Sequence, residues 1–309
     1  MAIRNRQSGN GLKPLMQSWT EIAAQISRST GTPFTVQTTF PLGGGCINQA
    51  HRIEGNGRRF FVKLNNPECL SMFEAEAAGL REIRNSRTLR TPAPICLGRN
   101  TSVAWLVLEY VEMRSGSSSG ASALGEGLAA MHRVSSGEFG WTCNNTIGTT
   151  PQINERSSNW IDFWRKHRLG YQLQLAKANG YLGRLQTQGE RLMGELDCFF
   201  PDGQPAASLL HGDLWSGNYD FDETEQPVIF DPAVYYGDRE TDIAMTELFG
   251  GFPGNFYAAY RSAYPLDAGY AIRKTLYNLY HILNHLNLFG RGYLNQAEQM
   301  IGRLVAEIR

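Results

Sequence analysis

The chain has 309 residues, 42% of them hydrophobic, enough to bury a large core and long enough for that core to divide into two lobes. Lysine plus arginine and aspartate plus glutamate stand at 29 each, so no global field recruits nucleic acid or an anionic membrane surface. Five widely spaced cysteines without a C-x-x-C pair, an N-terminus without the apolar stretch of a signal peptide, and no apolar window of membrane-spanning length predict reduced thiols, no structural zinc site, no membrane association and a cytoplasmic protein.

Residues 14–27 place Leu15, Trp19, Ile22, Ala23 and Ile26 at helical spacing. The stretch F-T-V-Q-T-T-F at 34–40 is rich in β-branched and aromatic residues and reads as a strand, and three glycines, Gly43, Gly44 and Gly45, follow it. Residues 48–54 and 58–64 read as two more strands joined by a tight Asn56-Gly57 turn, a register that sets Lys63 opposite Ala50. A helix over 68–84 carries Glu76 on its inward side, flanked by Phe73, Leu80 and Ile83. Residues 95–97 and 105–111 complete a small, mostly antiparallel sheet, giving a five-stranded lobe with one main helix.

The Ser- and Gly-rich segment 113–122 reads as a connector, which divides the chain into an N-lobe at 1–112 and a C-lobe at 113–309. Helices are expected over 121–134, 157–178 and 182–198, and the pattern is helical again from Asp242 to the end. Between these lies the octet H-G-D-L-W-S-G-N at 211–218, followed by a short hairpin with strands at 218–221 and 227–230.

The two ends of a hairpin meet, so Asp231 returns beside Asn218, with Asp213 at the same edge. Two carboxylates and an amide, all oxygen donors, suit a hard cation such as Mg2+, which leaves coordination positions for phosphate and water. In the N-lobe, backbone N–H groups of a glycine loop can approach phosphates, Lys63 supplies a point charge, and Glu76 can hold that lysine extended. Each lobe thus offers half of a phosphoryl-transfer site that uses ATP and Mg2+.

The order D-x-x-x-x-N, then a second aspartate after a short hairpin, resembles the catalytic set of the protein-kinase-like fold, a bilobal α+β architecture. H-G-D in place of H-R-D and I-F-D-P-A in place of D-F-G resemble its aminoglycoside and choline phosphotransferase branch. Within that branch, P-L-G-G-G-C-I-N, F-F-V-K, F-E-A-E, L-L-H-G-D-L-W-S-G-N, I-F-D-P-A-V-Y-Y-G-D-R-E-T-D-I-A-M and L-F-G-G-F-P are similar to the fructosamine kinase (ketosamine 3-kinase) family, over about residues 15–305. The resemblance implies ATP-dependent phosphorylation of the sugar 3-hydroxyl of a ketosamine, either a small molecule or protein-linked as in glycated lysine.

On this reading Asp213 is the catalytic base, Asn218 and Asp231 are the metal ligands, and Gly43, Gly44, Gly45, Lys63 and Glu76 serve the phosphates. The Glu109 carbonyl and Val111 amide would pair with adenine. Trp215, Asn145 and Trp160 are candidates for substrate contact, and Cys46, beside the glycine loop, is a candidate redox switch. His211 reads as a packing residue, and Asp238, Arg239, Glu240 and Asp242 as a network bracing the catalytic loop. A monomer or a homodimer fits equally. The alternatives are an aminoglycoside or other small-alcohol phosphotransferase, which would share every catalytic residue, and a catalytically silent nucleotide- or sugar-binding protein, which should have lost some of them.

Overall fold

The computed structural model describes residues 12–43 and 47–308, with side chains from Ser18 onward. Gly44, Gly45 and Cys46 therefore lie outside the described residues. The chain falls into two compact units, Met1–Ala77 with Pro92–Val111, and Ala78–Thr91 with Glu112–Arg309.

In the first unit α1 (Leu12–Thr30) precedes β1 (Thr38–Leu42), β2 (Gln49–Gly55) and β3 (Arg58–Asn65), then α2 (Leu70–Ser86), β4 (Pro94–Arg99) and β5 (Ala104–Glu109). Among the described residues these strands make one antiparallel sheet in the order β1-β2-β3-β5-β4. Alternation decides its faces. Ile53, Phe60, Val62, Leu64, Trp105 and Val107 point one way and pack on Ile22 and Ile26 of α1. Burying each such side chain stabilises the unit by about 1.5–3 kcal/mol. Lys63 pairs with Ala50, as the hairpin register predicts, and so lies on the opposite face. The turn is made by Asn56 and Gly57 at φ 52° and 70°, the left-handed pair that a two-residue hairpin requires.

The first strand begins later than the composition of residues 34–40 suggests. Phe34 is buried in the α1 core and its N–H donates to the Ser27 hydroxyl at 2.8 Å, so the chain there is tied to the helix. The strand itself is exposed and contains Pro41, tolerated because β1 has a neighbour on one side only.

The second unit holds the later part of α2, then α3 (Ser118–His132), β6 (Ser135–Ser136), β7 (Asn145–Ile147), β8 (Thr150–Gln152), α4 (Trp160–Trp164), α5 (Gly170–Ala178) and α6 (Arg184–Gly194). It continues through β9 (Ala207–Leu210), β10 (Tyr219–Phe221), β11 (Pro227–Ile229), β12 (Tyr235–Gly237), α7 (Glu240–Thr246), α8 (Gly254–Ala263), α9 (Tyr270–Phe289) and α10 (Leu294–Glu307). Helix α3 starts at Ser118, inside the segment that reads as a connector, because the Ser117 hydroxyl caps it by accepting from the Gly120 N–H. The helix expected over 157–178 starts at Trp160 and runs on without a gap, but it is not regular: between α4 and α5, Arg165–Leu169 form a π turn closed by the Gly170 N–H on the Arg165 carbonyl. Among the described residues no helix is long and apolar enough to cross a membrane.

Candidate phosphoryl-transfer site

In the first unit Lys63 Nζ lies 2.7 Å from Glu76 Oε1, both side chains buried, so the strand and the helix meet at a charged pair. Gly43 is exposed and no heavy atom stands where its side chain would be, which leaves the described end of the glycine loop open. At the end of β5 the Glu109 N–H donates to the Ala93 carbonyl at 2.8 Å, and the Glu109 carboxylate accepts from the Ala93 N–H at 3.1 Å. Glu109 is thereby anchored, and Val111 is buried two residues on.

In the second unit β9 ends at Leu210 and delivers His211, Gly212 and Asp213. The His211 and Gly212 N–H groups donate to the two carboxylate oxygens of Asp242 at 2.7 and 2.8 Å. Burial opposes ionisation of Asp242, but His132 and these amides hold it below the usual carboxylate range. His132 Nε2 lies 3.1 Å from Asp242, and Nδ1 lies 2.8 Å from the Tyr260 hydroxyl, which also accepts from Arg239. A carboxylate can only accept, so His132 Nε2–H donates to Asp242; burial lowers the imidazole's proton affinity and favours its neutral form, whose Nδ1 accepts from the Tyr260 hydroxyl. The expected bracing role of Asp242 is thus visible atom by atom.

His211 is fully buried. Its Nδ1 accepts from the Asp213 N–H at 3.3 Å, and Nε2 donates to the Phe230 carbonyl at 2.9 Å, so it packs the loop rather than acting as a base. Gly212 has φ +82°, and a side chain there would meet the Ala233 carbonyl oxygen at 2.1 Å. The hairpin β10–β11 then closes as the sequence predicts: the Phe230 N–H donates to the Asn218 carbonyl at 3.0 Å, which returns Asp231 to Asn218.

The Asn218 side-chain N–H donates to the Asp213 carbonyl at 2.8 Å and to Asp213 Oδ2 at 3.3 Å, which aims the amide oxygen away from Asp213 as a candidate ligand. Burial, then the charges of Asp231 and Asp242, push the Asp213 carboxyl up to about 7, against the Asn218 donation that favours its ionised form. Like charges this close fit a divalent cation, which would relieve the repulsion. Among the described residues no group of three His, Cys, Asp or Glu side chains forms a metal cage by itself. A site of two carboxylates and an amide matches Mg2+, whose remaining positions go to phosphate and water.

Two substrate candidates are corrected. Trp160 is wholly buried at the start of α4, stacked on Phe163 and Trp164 with its indole N–H on the Tyr277 hydroxyl at 3.2 Å, and is a core residue. Asn145 is buried in β7, and its amide N–H donates to the Val234 carbonyl at 2.8 Å, so it holds the main chain and not a ligand. Trp215 stays 39% exposed within the catalytic loop. Sequence reasoning missed Gln152, Asn154, Arg168 and Tyr280, buried polar residues that bond to one another around Asn145. The signal was present for one of them: Arg168 continues the i, i+4 stripe of Trp160 and Trp164.

The family model of fructosamine kinase matches residues 18–307. A probable ketoamine kinase of Synechocystis sp. is 48% identical over 284 residues, covering 92% of this chain and 95% of that protein. The chloroplastic protein-ribulosamine 3-kinase of Arabidopsis thaliana is 43% identical over 263 residues, covering 84% and 80%. Among solved structures, a candidate fructosamine-3-kinase of Haemophilus somnus superposes with a TM-score of 0.86 at 27% identity, over 94% of this chain and 98% of that one. An aminoglycoside phosphotransferase shares the fold alone, with a TM-score of 0.62 at 16% identity over 94% and 98%. With a catalytic loop, hairpin and acidic cluster of this geometry, and a family match that runs almost from end to end, the chain belongs to the fructosamine kinase family.

Proposed function

We propose that the protein transfers the γ-phosphoryl group of ATP to the sugar 3-hydroxyl of ketosamines by direct in-line displacement, without a covalent enzyme intermediate. The observation that carries this reading is the Asp213–Asn218–Asp231 constellation, a buried carboxyl raised to about 7 and turned toward an amide whose oxygen is left for a cation. The relatives named ketoamine kinase and protein-ribulosamine 3-kinase support the acceptor class and the position phosphorylated.

In this mechanism the ionised Asp213 carboxylate accepts the proton of the attacking hydroxyl and fixes its direction. Lys63, held by Glu76, binds phosphate oxygens, and the same role is proposed for the backbone N–H groups of Gly43, Gly44 and Gly45. The Glu109 carbonyl and the Val111 amide pair with adenine, and Trp215 offers an apolar face to the sugar. Asn218 and Asp231 would hold magnesium, which when bound neutralises phosphate charge.

The test is an acceptor panel with purified protein, ATP and magnesium. Fructosyl-lysine or ribulosyl-lysine should be phosphorylated faster than any aminoglycoside or choline, with NMR of the product placing phosphate on the 3-hydroxyl. Faster turnover of an aminoglycoside than of every ketosamine would overturn the acceptor assignment, and nucleotide binding without transfer to any acceptor would overturn the reaction itself.

A further inference from the structure

Asp231 has φ +57°, a left-handed conformation that is unfavourable for a non-glycine residue and persists where its neighbours over-determine it. On one side Phe230 is pinned, its N–H on the Asn218 carbonyl and its carbonyl on His211. On the other side the Ala233 N–H donates to the His211 carbonyl at 2.8 Å. Two further bonds reach the same segment from β7 and β8: Gln152 Nε2 donates to the Ala233 carbonyl at 3.1 Å, and Asn145 Nδ2 donates to the Val234 carbonyl at 2.8 Å.

The direction of these amides is not arbitrary. Arg168, wholly buried in the π turn, donates from Nη2 to Asn154 Oδ1 at 2.8 Å. A guanidinium has no acceptor, so the Asn154 oxygen must face it and the Asn154 nitrogen must face outward, where it meets Asn145 Oδ1 at 3.0 Å. Asn145 therefore presents its own nitrogen to Val234. Gln152 obeys the same rule from a second anchor: the Tyr280 hydroxyl donates to Gln152 Oε1 at 2.8 Å, while both hydrogens of Nε2 go to Asn145 Oδ1 and the Ala233 carbonyl. Buried polar groups bonded to one another in this way are costly to disturb, because one lost partner leaves another stranded. This network has polarity as well, running from a group that can only donate to two main-chain oxygens that can only accept.

We propose that Asn145 and Gln152 are positioning residues for Asp231: oriented by Arg168 through Asn154 and by Tyr280, they hold the Ala233 and Val234 carbonyls and so fix the left-handed aspartate in the geometry that binds the cation. The inference rests on the reading of Asp231 as a metal ligand. Ordinary core residues would influence stability alone, whereas positioning residues alter affinity for the ion.

The experiment titrates Mn2+ into the protein with AMP-PNP present and counts bound ion by electron paramagnetic resonance, a readout independent of turnover. Gln152→Met keeps length and removes the donor without adding charge. It should weaken Mn2+ at least ~10-fold, the usual cost of losing a group that orients a metal ligand, and raise the Mg2+ needed for half-maximal rate in parallel. Tyr280→Phe, which removes one bond to Gln152 and guards against misfolding of the first variant, should weaken Mn2+ in the same direction by roughly 2–5-fold. Leu304→Ala in α10 loosens the same unit at a site outside the network and should lower melting temperature while leaving Mn2+ affinity unchanged. Affinity like the wild type in both network variants, or an equal loss in Leu304→Ala, overturns the proposal. If Asp231→Asn also binds Mn2+ normally, the assignment of the ligand fails instead.

Discussion

The two halves of the chemistry are built by different means. Lys63 and Glu76 stand on a strand and on the helix that follows it and meet at the tips of their side chains, 2.7 Å apart. Asp213, Asn218 and Asp231 are brought together by main-chain bonds: two amides on Asp242, Phe230 on Asn218, Ala233 on His211. A contact made at side-chain tips can be cut by one isosteric change with the backbone left in place. A site made by the backbone keeps its shape when one of its side chains is altered, so its chemistry can be removed without its architecture.

The strongest test of that difference is Asp213→Asn. Turnover should fall by roughly two to four orders of magnitude, the range for a lost general base, while nucleotide binding persists because the loop is still held by Asp242. Steady-state kinetics beside calorimetric titration with AMP-PNP would read both, and near-normal turnover would remove Asp213 from its role.

Next in size is Glu76→Gln, which keeps shape but removes the negative charge 2.7 Å from the buried Lys63 ammonium. Breaking one partner of a buried charge pair costs about 2–3 kcal/mol, so kcat/KM for ATP should drop on the order of 10²-fold. The acceptor KM should change little. A uniform loss across both substrates would mean that the pair holds the fold of the first unit and not the phosphates.

The smallest effect is expected at Asp222, which closes the β10–β11 hairpin. Its burial favours the protonated form, yet the Thr224 hydroxyl and amide, the Gln226 amide and Arg90 outweigh that and bring it down to about 2. A carboxyl lowered on folding contributes stability above its unfolded value near 3.8, and the contribution is lost as pH falls toward about 2. Asp222→Asn should therefore cost about 1–2 kcal/mol at pH 7, and the gap in melting temperature from the wild type should narrow as pH is lowered from about 4. A gap independent of pH would show that the turn depends on shape and not on charge.

Where the sequence was informative, a local rule carried the information. Asn56-Gly57 forced a register and hence the place of Lys63, and the ends of the second hairpin had to meet, which put Asp231 beside Asn218. Glu76 followed from helical spacing alone. The failures share a different cause. Ser117 reads as linker until one sees that it caps a helix, and Phe34 reads as strand until one sees that it packs on α1. Asn145 and Trp160 suggest substrate contact by their polarity or ring and their position before the octet, but burial is a property of the whole unit, and nothing within a few residues of Asn145 reveals that its partner is the carbonyl of Val234.

The π turn at Arg165–Leu169 has a consequence for how the chain can vary. Such a turn holds one residue more than an α-helical turn, and the surplus lets Trp160, Phe163 and Trp164 before it, Leu169 at its end, and Leu173 and Ala176 after it enter the same core. Deleting a single residue here would let the helix close regularly and swing everything beyond it by about 100° relative to what comes before. One set of anchors would then leave the interior, and Arg168 would lose Asn154. Most helices of a protein can drift in sequence while their number of residues stays incidental; in this one the number is itself the heritable trait, and a lineage that lost the extra residue would have to rebuild both the core and the segment that carries Asp231.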